Sequence, residues 1–404
     1  MTNPRTALII GAGVAGPVTA MALQRAGIDA VVYEAYTESA EEVGSYLTVA
    51  TNGLDALRAI DADKRVLDAG FPTPTNMLWS GTGRRLGAVS NGGRLADGTT
   101  SHTIKRARLY RALHQEAAGR GIPVEFGKRL VHAEPTPDGG VVARFHDGTQ
   151  AAGDLLVGAD GVHSATRRLI DPAAPGGRYV GLVNFGGYTP GSAGTAEPGV
   201  WHMTFGRRAF FGHVADPGGG TVWFANVPRP AVTPAERTAT TSGQWQRQLV
   251  DLFTGDAGPA SDLIADGYLD LAGDSTHDLP SVPVWHRGPM VIVGDAAHAP
   301  SPTSGQGASM AAEDAVVLAK CLRDLPDIPE ALAAYEGLRR KRVERIVAQG
   351  ARTSSAKTPG PVGRALRDLA LPLVFKLFVT DRSMAWIYDH HIDWDAPLVA
   401  TNSS

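Results

Sequence analysis

The chain has 404 residues, 43% hydrophobic and 20% charged, which supplies a large core and, by length, two or three domains. A net charge of −3 gives no reason to expect nucleic acid or an anionic membrane as partner. The single Cys321 excludes an intramolecular disulfide, so the cytoplasm is the expected compartment. Beyond Arg5, residues 7–23 have the outline of a leader, yet their glycines are spaced for a nucleotide turn, and no other apolar run could span a bilayer.

Residues 7–10 are apolar without alternation, as in a parallel strand buried on both faces. Gly11, Gly13 and Gly16 follow as G-x-G-x-x-G, allowing in turn a tight turn, backbone approach to a pyrophosphate and packing of helix on strand. Val14, Val18, Met21 and Ala22 mark one face of that helix, which also carries Ala15. A second strand, residues 29–34, ends in Glu34, where an acid accepts hydrogen bonds from an adenosine ribose. Strand, glycines, helix face and acid in register predict dinucleotide binding.

Loop and helix are expected to about residue 68, and then hairpins of a different module through Gly93. Residues 104–113 return to helix, with Ala107, Tyr110 and Leu113 on one side. Residues 124–126 and 141–145 read as meander strands. Residues 154–158 are another buried strand, leading through Asp160 and His163 into a helix with Arg167. Between 177 and 277 come aromatic-rich strands punctuated by Gly and Pro, which suits an antiparallel sheet forming its own domain. Residues 289–294 are a third buried strand. Ala311, Ala315, Leu318, Ala319 and Leu322 mark a helix face, and in the next helix Arg339, Arg340, Lys341, Arg342 and Arg345 are expected to face solvent. A break at 359–361 precedes the apolar run 369–375. His390 and His391 have no third ligand at sensible spacing, so no metal is expected. Expected domains are 1–71 with 101–175 and 278–350 (nucleotide-binding), 72–100 with 176–277 (sheet), and 351–404 (C-terminal helices).

The second informative stretch is Gly294, Asp295, then Pro300 to Met310. Asp295 stands at a strand carboxyl end, where ligands of open α/β sheets bind, and Gly305-Gln306-Gly307 opens a helix whose amides favour an anion. With the N-terminal glycine turn and the run 158–167 around Asp160, three ordered fingerprints are present. The chain resembles the single-component FAD-dependent aromatic hydroxylases, the group of para-hydroxybenzoate and salicylate hydroxylases, over nearly its whole length.

That resemblance implies an α/β fold: a Rossmann-like FAD-binding domain of the GR2 type, an inserted antiparallel β-sheet substrate domain and C-terminal helices. It implies FAD held by Gly11, Gly13, Val14, Ala15, Gly16, Glu34, Arg106, Leu130 (by its backbone), Asp160, Asp295, Gly305, Gly307 and Ala308, with Asp295 on the ribityl chain. The loop with Pro300, Gly305, Gln306 and Gly307 would lie beside the isoalloxazine. The family often has an arginine after the ribose acid, where this sequence has Glu41-Glu-Val-Gly-Ser-Tyr-Leu47.

Without a second dinucleotide fingerprint, NADPH or NADH would meet the flavin at a shared face. The implied reaction is monooxygenation of an aromatic or polycyclic small molecule by O2 through a flavin C4a-hydroperoxide. Epoxidation, oxidative ring opening, a reductase or dehydrogenase without O2 chemistry, and a flavin-retaining ligand-sequestering protein remain alternatives. Tyr188, Trp201, Phe210 and Trp223 are the candidates to line the substrate, in a monomer or homodimer.

Overall fold

A computed structural model describes residues 6–37, 45–192, 197–301, 304–356 and 381–398. Residues 41–44, Pro302 and Thr303 of the second loop, the break at 359–361 and the apolar run 369–375 lie outside the described residues.

The chain begins β1 (Thr6–Ile10), α1 (Ala15–Arg25), β2 (Asp29–Tyr33), β3 (Tyr46–Val49), α2 (Thr51–Arg58) and α3 (Lys64–Ala69). It continues through β4 (Phe71–Pro72), β5 (Thr75–Ser80), β6 (Arg85–Ser90), β7 (His102–Lys105) and α4 (Arg106–Gly119). Then come β8 (Val124–Glu125), β9 (Leu130–Pro135), β10 (Val141–Phe145), β11 (Gln150–Gly153), β12 (Leu155–Gly158) and α5 (Ala165–Ile170). The insertion holds β13 (Arg178–Thr189), β14 (Val200–Phe205), β15 (Phe210–Asp216), β16 (Gly220–Pro228), α6 (Pro234–Ala239), α7 (Ser242–Phe253), α8 (Ala260–Asp266) and β17 (Tyr268–Asp278). The return runs β18 (His286–Arg287), β19 (Met290–Ile292), α9 (Gly307–Asp324) and α10 (Ile328–Ala356), and a further helix spans Asp381–Tyr388.

Six strands, β18-β19-β12-β1-β2-β8, form the nucleotide-module sheet, parallel except at β18. Unalternating apolar strands form here because both faces are covered. Leu8 packs under Gly153 of the β9–β11 meander while its neighbour Ile9 meets Gly16 of α1, and both are wholly buried. Val124 and Glu125 belong to this sheet, paired parallel with β2, and not to the meander expected for them. A two-residue strand carries too little pattern to separate the two cases.

The second sheet, β17-β13-β16-β15-β14-β5-β6, is antiparallel apart from the β14–β5 pair. Its outer face, with Phe185, Phe211 and Trp223, packs on Trp245, Leu249 and Phe253 of α7. A capping box fixes the start of α7: Thr241 accepts from the Gln244 amide and the Gln244 side chain accepts from the Thr241 amide. The inner face, with Tyr188, Trp201 and Phe224, meets Tyr46 and Phe71 of a small β3-β7-β4 sheet. This is the expected α/β fold, a flavin-type nucleotide sheet with an antiparallel sheet inserted. No described helix is long and apolar enough to cross a membrane.

Candidate functional site

The first turn is built by close backbone contact. Gly11 has φ +103°, and a Cβ there would lie 2.6 Å from the Ala159 carbonyl oxygen. A Cβ at Gly16 would lie 1.9 Å from the Gly11 carbonyl oxygen, so the third glycine is required by the turn itself as well as by the strand beneath. Gly13 is different: its Cβ direction meets only the Tyr110 hydroxyl, at 3.8 Å, and leaves its backbone open to approach. Val14 precedes α1 without any side-chain cap, so the first-turn amides of Ala15 and Gly16 keep their donor capacity. Glu34 is held against this turn, accepting from the Ala12 amide at 2.7 Å and the Tyr36 amide at 3.0 Å. Leu130 turns its side chain into the core, which leaves its backbone as the part able to meet a ligand.

Asp160 and Arg167 brace the neighbouring turn. Asp160 accepts from the Ser164 hydroxyl at 2.5 Å and from the amides of Ala165 and Thr166 at 2.8 and 2.9 Å, which caps α5. Arg167 is buried and donates to the carbonyls of Ala296 and Val162 at 2.9 and 2.7 Å, tying this turn to the one that carries Asp295.

Gly294 has φ +57° and is pinched between helices, since a Cβ would lie 3.1 Å from the Ala15 Cβ and 3.3 Å from that of Ala311. The 3-10 turn Gly294–Ala296 then projects Asp295 into a cleft. Asp295 and Arg106 are both accessible to solvent, while the protein packed around them still desolvates each. That enclosure raises the Asp295 carboxyl above the usual range, with the charges of His298 and Arg106 acting in the opposite sense. Arg106 donates from Nε to the Tyr110 hydroxyl at 2.7 Å. A Cβ at Gly307 would lie 3.9 Å from both Asp295 Oδ1 and Pro300 Cγ, so Asp295, Pro300 and the start of α9 border one space. Gly305, at φ +62°, makes the reversal into that helix, whose first turn holds half-buried Ala308. Gln306 points elsewhere: its side-chain oxygen is buried and accepts from Asn52 Nδ2 at 3.0 Å.

These residues fit a flavin dinucleotide. Gly13 and the first turns of α1 and α9 present open backbone amides, Glu34 and Asp295 present acceptors for hydroxyls, and Arg106 presents a cation.

Behind the cleft lies a buried ionic cluster that the sequence pattern did not reveal. Asp314 accepts from the Gly294 amide at 2.8 Å, lies 2.6 Å from His298 Nε2 and accepts from Arg339 Nε at 2.8 Å. Glu313 accepts from Arg339, Arg342 and Asn52 at 2.6, 2.7 and 2.6 Å. Arg339 is 1% exposed and Arg342 half-buried, so the solvated face expected of this run holds for Lys341 and Arg345 and fails for these two. The reason is tertiary: the two carboxylates sit on the buried face of α9, about two turns from its start, and α10 supplies their counter-charge. The pairing holds both carboxyls down at about 2 despite their burial. The run of charge along α10 could have flagged this only together with Glu313-Asp314 inside an apolar helix stripe.

Of the aromatic candidates, Tyr188, Trp201 and Phe210 lie on the inner face of the large sheet. Trp201 is committed to packing, donating from Nε1 to Thr103 at 2.8 Å. Trp223 is corrected: it lies on the outer face, stacked on Phe211 and donating to Thr189, and cannot line the space between sheet and flavin loop. Strand alternation decides this, and it needs the register to be known.

A family model described as FAD binding domain matches residues 5–247 and 266–350. The chain is similar to the aurachin C monooxygenase/isomerase of Stigmatella aurantiaca, at 32% identity over 86% of this chain and 88% of that protein. It is similar to the FAD-dependent urate hydroxylase of Klebsiella pneumoniae, at 33% identity over 84% and 87% of the two chains. The crystal structure of Klebsiella pneumoniae HpxO complexed with FAD and uric acid superposes with a TM-score of 0.79, at 30% identity, covering 91% of this chain and 92% of that one.

Proposed function

We infer the reaction from one premise: the chain belongs to the FAD binding domain family and is an FAD-dependent monooxygenase. The reading is that it uses NADPH or NADH and O2 to hydroxylate an aromatic or polycyclic small molecule held between the inner sheet face and the α9 loop. The feature that supports it is the space bordered by Asp295, Pro300 and the N-terminus of α9, with the exposed Arg106 close enough for its charge to bear on Asp295. Relatives named for action on urate and aurachin C support a ring-containing substrate.

Bound FAD, reduced by the nicotinamide, would supply the oxygen activation, placing one oxygen atom on an electron-rich carbon and releasing the other as water. The protein's share is binding and order. The Gly13 backbone and first-turn amides of α1 would take the pyrophosphate, Glu34 the adenosine ribose and Asp295 the ribityl hydroxyls. The first-turn amides of α9 would favour the negative charge that reduced flavin gains at its N1–C2=O edge. Asp160, Arg167, His298 and Asp314 would fix the turns that bring these groups together. We place the nucleotide-binding part at 1–71, 101–175 and 278–350, and the substrate sheet at 72–100 and 176–277. With Cys321 buried and unpaired, we place the enzyme in the cytoplasm.

Turnover under 18O2 tests the reaction. The expected result is one labelled oxygen in the product and one NAD(P)H consumed per coupled turnover. Unlabelled product, or turnover without O2 on an artificial acceptor, would assign a reductase or dehydrogenase instead. Ligand binding with no NAD(P)H consumption would assign a sequestering protein.

A further inference from the structure

Helix α2 is seated on the first turn of α9, the helix whose start borders the space beside Asp295. The two backbones touch: a Cβ at Gly53 would lie 2.6 Å from the Ser309 Cα, and the Ala50 amide donates to Ser309 Oγ at 3.0 Å. A side chain also crosses between them. Asn52, wholly buried, donates from Nδ2 to Gln306 Oε1 at 3.0 Å and to Glu313 Oε1 at 2.6 Å. Both of its amide hydrogens are therefore in use, one on the residue that opens α9 and one on a carboxylate about two turns further along.

Glu313 decides how these bonds run. It is a buried carboxylate, held by Arg339 Nη1 at 2.6 Å and Arg342 Nη2 at 2.7 Å, and it can only accept. Asn52 must turn its amide hydrogens toward it, since the reversed amide would set oxygen against oxygen. Asn52 Oδ1 is left buried with no partner among the described residues, which the bond to a charged acceptor offsets. With Nδ2 fixed in this way, Gln306 must present its oxygen. Arg342 also donates to the Ile387 carbonyl at 2.7 Å, and Thr51 Oγ1 to the Tyr388 carbonyl at 3.0 Å, so the helix Asp381–Tyr388 braces Glu313 and α2 together.

Gln306 occupies the N-cap position of α9. An oxygen on an N-cap side chain is ordinarily placed to accept from the second or third amide of its helix. Here that oxygen is drawn off to Asn52, and no side chain caps the turn. The first bond within the helix runs from the Met310 amide to the Gln306 carbonyl, so the amides of Gly307 and Ala308 have no acceptor inside α9. Both residues are half-buried, and Gly307 stands beside Asp295 and Pro300.

We propose that Asn52 is a positioning residue for the flavin: by holding the Gln306 side chain it keeps the first-turn amides of α9 free for the N1–C2=O edge that gains negative charge on reduction. This rests on the flavin placement inferred above and not on the oxygen chemistry.

The midpoint potential of the FAD-loaded protein, measured by anaerobic reduction against a reference dye, tests it in Asn52→Leu, Gln306→Met and the double variant. Each single change removes one side of the bond and keeps its volume. Each is expected to weaken reduced flavin at least tenfold relative to oxidised flavin, a fall of about 30 mV for a two-electron couple. The double variant should fall no further than the larger single change. Trp223→Phe, a packing change on the far face of the inserted sheet, should keep the parent potential. A shift below threefold in either single variant, or single shifts that add in the double, would overturn the proposal. Should Asn52→Leu not fold, Gln306→Met alone decides on the same thresholds. If Asp295→Ala keeps its flavin, the placement itself is wrong; if it loses flavin while the other potentials stand still, only the role of Asn52 falls.

Discussion

Asp295 reaches the cleft from a three-residue turn whose backbone is tied at both ends, by Asp314 to the Gly294 amide and by Arg167 to the Ala296 carbonyl. Its carboxyl is therefore placed before any ligand arrives. Replacing it with alanine removes a charged acceptor without disturbing those ties. Asp295→Ala should cost about 1.5–3 kcal/mol of FAD affinity, roughly 10- to 100-fold in Kd, as expected for a hydrogen bond to a charged group. Flavin retained after dilution and ultrafiltration measures it, and undiminished occupancy would remove Asp295 from the site. At this scale the sequence was informative wherever the cause was local. Gly11 and Gly16 are fixed by contacts within or beside one turn, and Asp295 by the strand end it follows. Asp314 was not legible, because a carboxylate three residues from Ala311 on a helix shows its role only through Gly294, His298 and Arg339.

Helix α10 matters to the cleft through α9 and not through any ligand contact. Arg339 stands between Glu313 and Asp314, and all three side chains are buried. Arg339→Met would leave two carboxylates without their shared partner, a loss of about 3–5 kcal/mol for a broken buried pair. Thermal unfolding should show the drop, and a full-length variant as stable as the parent would refute the assignment. The sheet obeys the same logic of faces. Trp223→Phe loses a hydrogen bond to Thr189 and some packing under α7, so it should cost about 1–2 kcal/mol of stability and leave ligand affinity unchanged. Phe210→Ala, on the opposite face, should weaken aromatic ligands at least tenfold, read as the change in flavin absorbance when the FAD-loaded protein is titrated without O2. Aromatic content along the chain predicted an antiparallel sheet, but period-2 alternation assigns faces only once one strand is anchored. The parallel pairing of β14 with β5, 125 residues earlier in the chain, is a long-range contact that no local pattern encodes.

Over the whole molecule, buried titratable groups set how stability depends on pH. His213 on the outer sheet face is stacked against His202, with centroids 4.9 Å apart, and burial together with the neighbouring imidazole pushes its pKa down to about 3. An unfolded chain would protonate it near 6.5. The unfolded state thus binds the extra proton first, and the stability that neutral His213 represents is complete above pH 6.5 and is lost as pH falls toward 3. At pH 5 the loss is about 2 kcal/mol, from 1.36 kcal/mol per unit. Glu313 and Asp314 act in a lower window, since both are depressed to about 2 from 4.5 and 3.8. Their contribution holds above pH 4.5 and goes as pH falls through 2. The unfolding midpoint should accordingly be level above pH 6.5, decline from 6.5 to 4.5, and fall more steeply below. His213→Gln should reduce the upper decline, leaving the share of His390, which burial pushes down to about 4, and should spare the lower limb, because the carboxylate pair lies in the other module. A variant whose curve keeps the parent's full decline between 6.5 and 5 would show that His213 carries none of it. If instead the lower limb disappears, the two modules share one electrostatic system through the β3-β7-β4 sheet between them.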